Sequence, residues 1–264
     1  MSRINRAFDR LKKKGQSALI PFIMAGDPDM KTTEALVLRM AEAGADMIEL
    51  GVPFSDPIAD GPTIQAASER ALQNGVNLKE VLHMAERLSG INTPLVLMTY
   101  FNPVLRYGLR DFAESCGRSG VDGVIIPDLP PEEAGQWISE ARKTSLDTVF
   151  LIAPTSPPDR IRLVSRYSRG FIYYVSVTGV TGARENLPDD LEPAVKRIKE
   201  QSKKPVAVGF GISTPEQAKK IGSFADGVIV GSAIVKMIEE NLRHPELTSR
   251  VKDFVSAFAQ ALKS

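Results

Sequence analysis

A chain of 264 residues is near the upper limit for one hydrophobic core and can bury about 75% of its unfolded surface, so one domain spanning residues 1–264 is expected rather than two. Its 33 Lys and Arg balance 32 Asp and Glu to a formal charge of +1, which excludes the field that gathers nucleic acid or an anionic membrane. A lone cysteine, Cys116, excludes a disulfide framework and fits a reducing compartment; within LRDFAESCGRSG it reads as a small buried hydrophobe.

The chain opens on MSRINRAFDRLKKKG, where Ile4, Ala7, Phe8 and Leu11 recur at helical spacing. No apolar core of signal-peptide length occurs there, so a cytoplasmic location is expected. The most apolar run, ALIPFIMAG, falls well short of the ~20 residues that cross a bilayer.

Eight short apolar runs then follow in order: Ala18 to Ala25, Met47 to Leu50, Leu95 to Thr99, Gly123 to Ile126, Asp147 to Ile152, Phe171 to Val175, Val206 to Val208 and Gly227 to Val230. Between them lie amphipathic stretches such as KTTEALVLRMAEAG, LKEVLHMAERLSG, PEEAGQWISEARKT, DDLEPAVKRIKEQ and TPEQAKKIGS. Ser213-Thr214-Pro215-Glu216 opens one helix and Gly44 closes another. Runs that are apolar on both faces predict parallel strands covered on both sides. Eight such units in this length predict an α/β fold, a (β/α)8 TIM barrel, with the first helix closing the bottom. A doubly wound open sheet is the alternative architecture. It is disfavoured because the turn after the first strand reads MAGDPD, with no G-x-G-x-x-G.

A barrel of this kind keeps its chemistry at the C-terminal ends of its strands. Met47 and Glu49 share one face of the second strand, and if that face points inward Glu49 projects into the mouth. A buried carboxyl holds its proton to higher pH, as a general acid requires. The bland alternative is an ion pair with a neighbouring Arg. Asp60 follows in IADGPT, a turn-forming context stiffened by Pro53, Pro57 and Pro62; it reads as a second carboxylate facing Glu49, with Asp56 competing for the role. Later, VGFGIST and VIVGSAIVKMI place Gly209, Gly211, Gly231 and Ser232 after the last two strands, where barrels bind phosphate on backbone amides. VSVTGVTGARENLPDD, with Gly179 and Gly182, reads as a lid.

His83 and His244 fall outside any plausible metal triad, and no lysine lies in a strand or at a strand's end. Those absences leave carboxylate acid–base chemistry on a phosphorylated small molecule.

ELGVPFSDPIADGPTIQ resembles the motif of the tryptophan synthase alpha subunit family, as do PFIMAGDP, MTYFNPVLRYG, GVIIPDLPPEE, FLIAPTS, SVTGVTGAR, PVAVGFGIS and DGVIVGSAIV, in the family's order along the whole chain. The resemblance implies a lyase that cleaves indole-3-glycerol phosphate to indole and D-glyceraldehyde 3-phosphate in L-tryptophan biosynthesis, without metal or Schiff base. It implies Glu49 as the proton donor and acceptor and Asp60 as the acceptor of the indole N–H. Tyr173 would form the pocket wall, Phe22 and Phe210 would pack around indole, Gly182, Gly211, Gly231 and Ser232 would contact phosphate, and Thr181 would belong to the lid. No cofactor is expected in this chain. Pyridoxal phosphate is expected only in a beta subunit partner, within an alpha2beta2 heterotetramer.

Two other enzyme readings use the same barrel: a stand-alone indole-3-glycerol phosphate lyase, and a phosphoribosyl-type isomerase or indole-glycerol phosphate synthase, the isomerase leaning on Asp27 and the synthase needing a lysine in the mouth. A non-catalytic barrel that binds a phosphorylated metabolite is the reading from another class.

Overall fold

The computed structural model describes residues 1–175, 187–209 and 211–264. Ser2 accepts the Asn5 amide at 3.2 Å and caps α1 (Arg3–Lys13), whose Ile4, Ala7, Phe8 and Leu11 form one buried stripe. After it come β1 (Ala18–Met24), α2 (Met30–Glu42), β2 (Ile48–Gly51), α3 (Pro62–Gln73), α4 (Leu78–Arg87) and β3 (Leu95–Met98). The middle of the chain gives α5 (Phe101–Tyr107), α6 (Leu109–Arg118), β4 (Val121–Ile125), α7 (Gly135–Lys143), β5 (Asp147–Ile152), α8 (Pro158–Tyr167) and β6 (Ile172–Val175). The last elements are α9 (Leu191–Gln201), β7 (Val206–Gly209), α10 (Pro215–Gly222), β8 (Gly227–Val230), α11 (Ser232–Glu240) and α12 (Leu247–Lys263).

Each strand pairs in parallel with the next, and β8 returns to β1 to close an eight-stranded (β/α)8 barrel. The period of two along each strand sorts the apolar residues onto two faces. Ile20, Val96, Ile125, Val149, Ala207 and Ile229 fill the interior together with the stripe of α1. Their neighbours, such as Leu19, Leu50, Leu97, Val124 and Val208, pack outward against helix residues including Leu36, Val81 and Ile198. The first helix therefore seals the N-terminal end. Phe8 lies 5.8 Å from the Phe171 ring, and Arg3 is paired with Asp122 at 3.0 Å.

Three aspartates tie the strand starts together. Asp46 accepts the Leu19 amide at 3.1 Å, Asp122 the Leu95 amide at 3.0 Å and Asp226 the Val206 amide at 2.9 Å. Each satisfies a donor at the rim of the sheet, where ladder pairing runs out.

The strands agree with the sequence reading to within two residues, and the shifts have local causes. Gly51 belongs to β2 because its backbone pairs with Met24 and Met98, and it is glycine because a Cβ there would lie 2.7 Å from the Phe22 ring. The fourth strand begins at Val121 rather than Gly123, because the polar Asp122 within it is spent on the Leu95 amide and Arg3. The helix expected over PEEAGQWISEARKT starts only at Gly135, after a turn in which the Glu133 amide donates to the Pro130 carbonyl. Thr214 makes a capping box with Gln217, Gly44 takes φ +97°, and Cys116 is buried with its thiol pushed up by burial. No helix among the described residues is long and apolar enough to cross a membrane.

Candidate active site

Glu49 is the second residue of β2, in register with Phe22 of β1 and Val96 of β3. It is 1% exposed, and among the described residues neither carboxyl oxygen has a hydrogen-bond partner. Burial, and after it the charge of Asp60, pushes Glu49 up to about 8. No arginine among the described residues pairs with it, so the ion-pair alternative finds no support there.

The loop between β2 and α3 brings Asp60 to the same pocket. Ser68 on α3 accepts the Phe54 amide at 2.9 Å and donates to the Phe54 carbonyl at 3.1 Å, and the Asp60 amide donates to the Pro57 carbonyl at 3.2 Å. Pro62 occupies the first turn of α3, where it needs no amide partner. The Tyr100 hydroxyl donates to Asp60 Oδ2 at 3.0 Å. Burial raises Asp60 to about 6, against the lowering effect of that hydrogen bond.

Asp56, the competing acid, is exposed and accepts from Ser55. Asp27 is buried, but Arg70 grips both of its oxygens at 2.8 and 2.9 Å and reaches Glu239 at 2.9 Å, so it is a paired structural acid at the end of β1.

Phe22, Ile64, Met98, Tyr173 and Ile229 give this pocket an apolar wall. Burial, followed by the charges of Glu49 and Asp60, holds the Tyr173 phenol well above its usual range. Gly209 is required by that ring: a Cβ there would come within 2.7 Å of a Tyr173 ring carbon. Gly211, Gly231 and Ser232 border the same pocket. Gly211 has φ +79°, in the region that favours glycine, and Gly231 precedes α11 without any side-chain cap. Among the described residues no side chain caps the first amides of that helix, the arrangement in which a helix start can accept an anion.

Of the residues singled out in the sequence, Phe22, Glu49, Asp60, Tyr173, Gly211, Gly231 and Ser232 converge on one pocket. Thr181, Gly182, Phe210 and most of the stretch read as a lid lie outside the described residues. Sequence reasoning missed Ile64, Met98, Ile229 and Tyr100. Met98 and Ile229 were accessible from strand alternation near the strand ends, and Tyr100 from its place just beyond the third strand.

Burial of Glu49 has a cost that depends on pH. Its carboxyl ionises near 4.5 in a solvated chain and near 8 in the fold. Between those values the folded state holds the extra proton, so stability is highest on the acid side and falls as pH rises through about 8. Glu49→Gln removes that penalty. Thermal melts should show the variant several degrees above the parent at about pH 9 and converging with it near about pH 5. A pH-independent difference would contradict the burial of an ionisable group here.

A closed barrel that gathers a buried and a half-buried carboxyl, apolar walls and an uncapped helix start at the C-terminal end of its strands has the parts of an enzyme site for a small anionic ligand. The comparisons give its family. The family model for the tryptophan synthase alpha chain matches residues 8–263. The alpha chain of Geobacter sulfurreducens is 52% identical over 99% of both chains, and that of Thermoanaerobacter pseudethanolicus is 47% identical over 99% of this chain and 100% of its own. Among solved structures, Mycobacterium tuberculosis tryptophan synthase superposes with a TM-score of 0.92 at 40% identity, covering 100% of this chain and 99% of that one. The Legionella pneumophila alpha subunit also gives 0.92, at 38% identity over 99% and 98%. The chain belongs to the tryptophan synthase alpha chain family, lyases that cleave indole-3-glycerol phosphate in tryptophan biosynthesis and work with a beta subunit.

Proposed function

We propose that the chain performs this cleavage as a retro-aldol reaction in which Glu49 and Asp60 do the proton work, with no metal and no imine. The carrying observation is the convergence of a buried and a half-buried carboxyl in one pocket, one raised to about 8 and the other to about 6. Near neutrality that split leaves Glu49 protonated and Asp60 ionised, which assigns acid and acceptor.

Cleavage needs a proton on indole C3, so that the ring can accept the electrons of the breaking C–C bond. Glu49 supplies it. As positive charge grows on the ring nitrogen, the N–H becomes a stronger donor and Asp60 accepts from it more strongly than in the ground state. The Glu49 carboxylate then takes the side-chain hydroxyl proton as the C–C bond breaks, giving indole and the aldehyde of glyceraldehyde 3-phosphate. One proton is given and one recovered, so Glu49 ends as it began.

The indole ring fits between Phe22 and Tyr173, and the phosphate is held by Gly211, Gly231, Ser232 and the amides that open α11. The entire chain serves as one catalytic domain. It works in the cytoplasm, in an alpha2beta2 heterotetramer whose pyridoxal phosphate resides in the beta subunit. Ile58, 82% exposed in the Asp60 loop, and Leu105, 55% exposed on α5, are the apolar side chains that suit contact with that partner.

The test is direct: supply indole-3-glycerol phosphate and follow indole, with and without a beta subunit. Slow release alone and faster release with beta is expected. Equal rates would indicate a stand-alone lyase, and no indole in either condition would leave a binding barrel.

A further inference from the structure

Tyr100 stands just after β3, is 3% exposed and has no place in the proton transfers above. Its hydroxyl is nonetheless committed at both ends. It accepts the Ala59 amide at 3.0 Å and donates to Asp60 Oδ2 at 3.0 Å. The ring is fixed as well, stacked on Phe54 with centroids 5.1 Å apart and planes 28° from parallel. Because the phenol oxygen already receives the amide proton, its own hydrogen is directed at the carboxylate.

We propose that Tyr100 is the positioning residue for Asp60, pinning one carboxylate oxygen to the loop backbone so that the other is presented to the pocket as an ionised acceptor. The inference rests on the reading of Asp60 as that acceptor. Two carboxyls sharing one partly enclosed pocket cannot both ionise freely, and something must decide which keeps the proton. Asp60 faces Glu49 from β2, Tyr100 from just after β3 and Tyr173 from β6, and Asp128, whose carboxylate accepts the Phe101 amide at 2.9 Å, also acts on Tyr100 through its charge. Among the described residues lining the pocket there is no lysine or arginine. The Tyr100 hydroxyl is thus the donor, among those groups, that favours charge on Asp60 over charge on Glu49, and it opposes the effect of burial there. Its own proton is secure, since burial, followed by the Asp60 charge, raises the phenol far above neutrality.

Tyr100→Phe keeps the stacked ring and removes only the donor. The acid limb of the kcat/KM profile should move up by about one pH unit, so that activity below the limb drops about tenfold with the loss concentrated on the acid side. Incorporating 3-fluorotyrosine at position 100 makes the hydroxyl a stronger donor and should move the limb the opposite way, which keeps the test decisive if the phenylalanine variant folds poorly. An unmoved limb, or a loss equal at every pH, overturns the proposal and reduces Tyr100 to packing. Asp60→Asn separates the two levels of inference. If the acid limb survives in that variant, the assignment of Asp60 itself is wrong; if it vanishes in Asp60→Asn yet does not move in Tyr100→Phe, only the role of Tyr100 falls.

Discussion

Glu49→Gln is expected to lower kcat by about 10²- to 10⁴-fold, the span typical of a lost general acid–base group. Glutamine preserves the volume and the two-atom head, so the walls around position 49, which is 1% exposed, have no reason to move. What it lacks is a transferable proton, and in the proposed mechanism both the C3 protonation and the later removal of the hydroxyl proton pass through this one side chain. Binding of glycerol phosphate should stay within about twofold of the parent, because the phosphate loops and the start of α11 are built from other segments. Single-turnover indole release together with calorimetric titration of glycerol phosphate checks both halves. Near-parental turnover would remove Glu49 from the mechanism.

Asp60→Asn should cost at least about 10²-fold in kcat, for a different reason. Asparagine can still offer an oxygen to the indole N–H, but a neutral amide gains far less as charge develops on the ring. There is a second, coupled consequence. The Asp60 charge is part of what raises Glu49, so its removal lets the Glu49 carboxyl ionise at lower pH. The basic limb of the profile, where the acid form of Glu49 is lost, should therefore slide toward neutrality in this variant. A profile lowered at every pH without that displacement would mean that the two carboxyls do not sense one another.

The barrel was readable because each strand is a short apolar run bounded by an amphipathic segment. Period-two alternation put Glu49 on one face with Met47, and only the closed barrel shows that this face points inward. The uncertain edges were those where tertiary contacts override a local signal: Gly51 as a strand residue beneath Phe22, and Asp122 tolerated inside a strand because Leu95 and Arg3 use it. Within the site, spacing alone left Asp56 and Asp60 as rivals. The choice depends on how the loop lies over Tyr100 and Ser68, contacts 40 and 14 residues apart in the chain that no local pattern encodes. The partnering of Asp27 by Arg70 was invisible for the same reason, as the two groups are separated by 43 residues.

With α1 stoppered into one end, the barrel is a cup and not a tube. A guest that reaches Glu49 comes over the rim formed by the strand ends, and whatever the reaction leaves behind must go back over the same rim. A protein seated on that rim would stand in the path of both, and would decide whether the released fragment escapes to bulk water or is handed on.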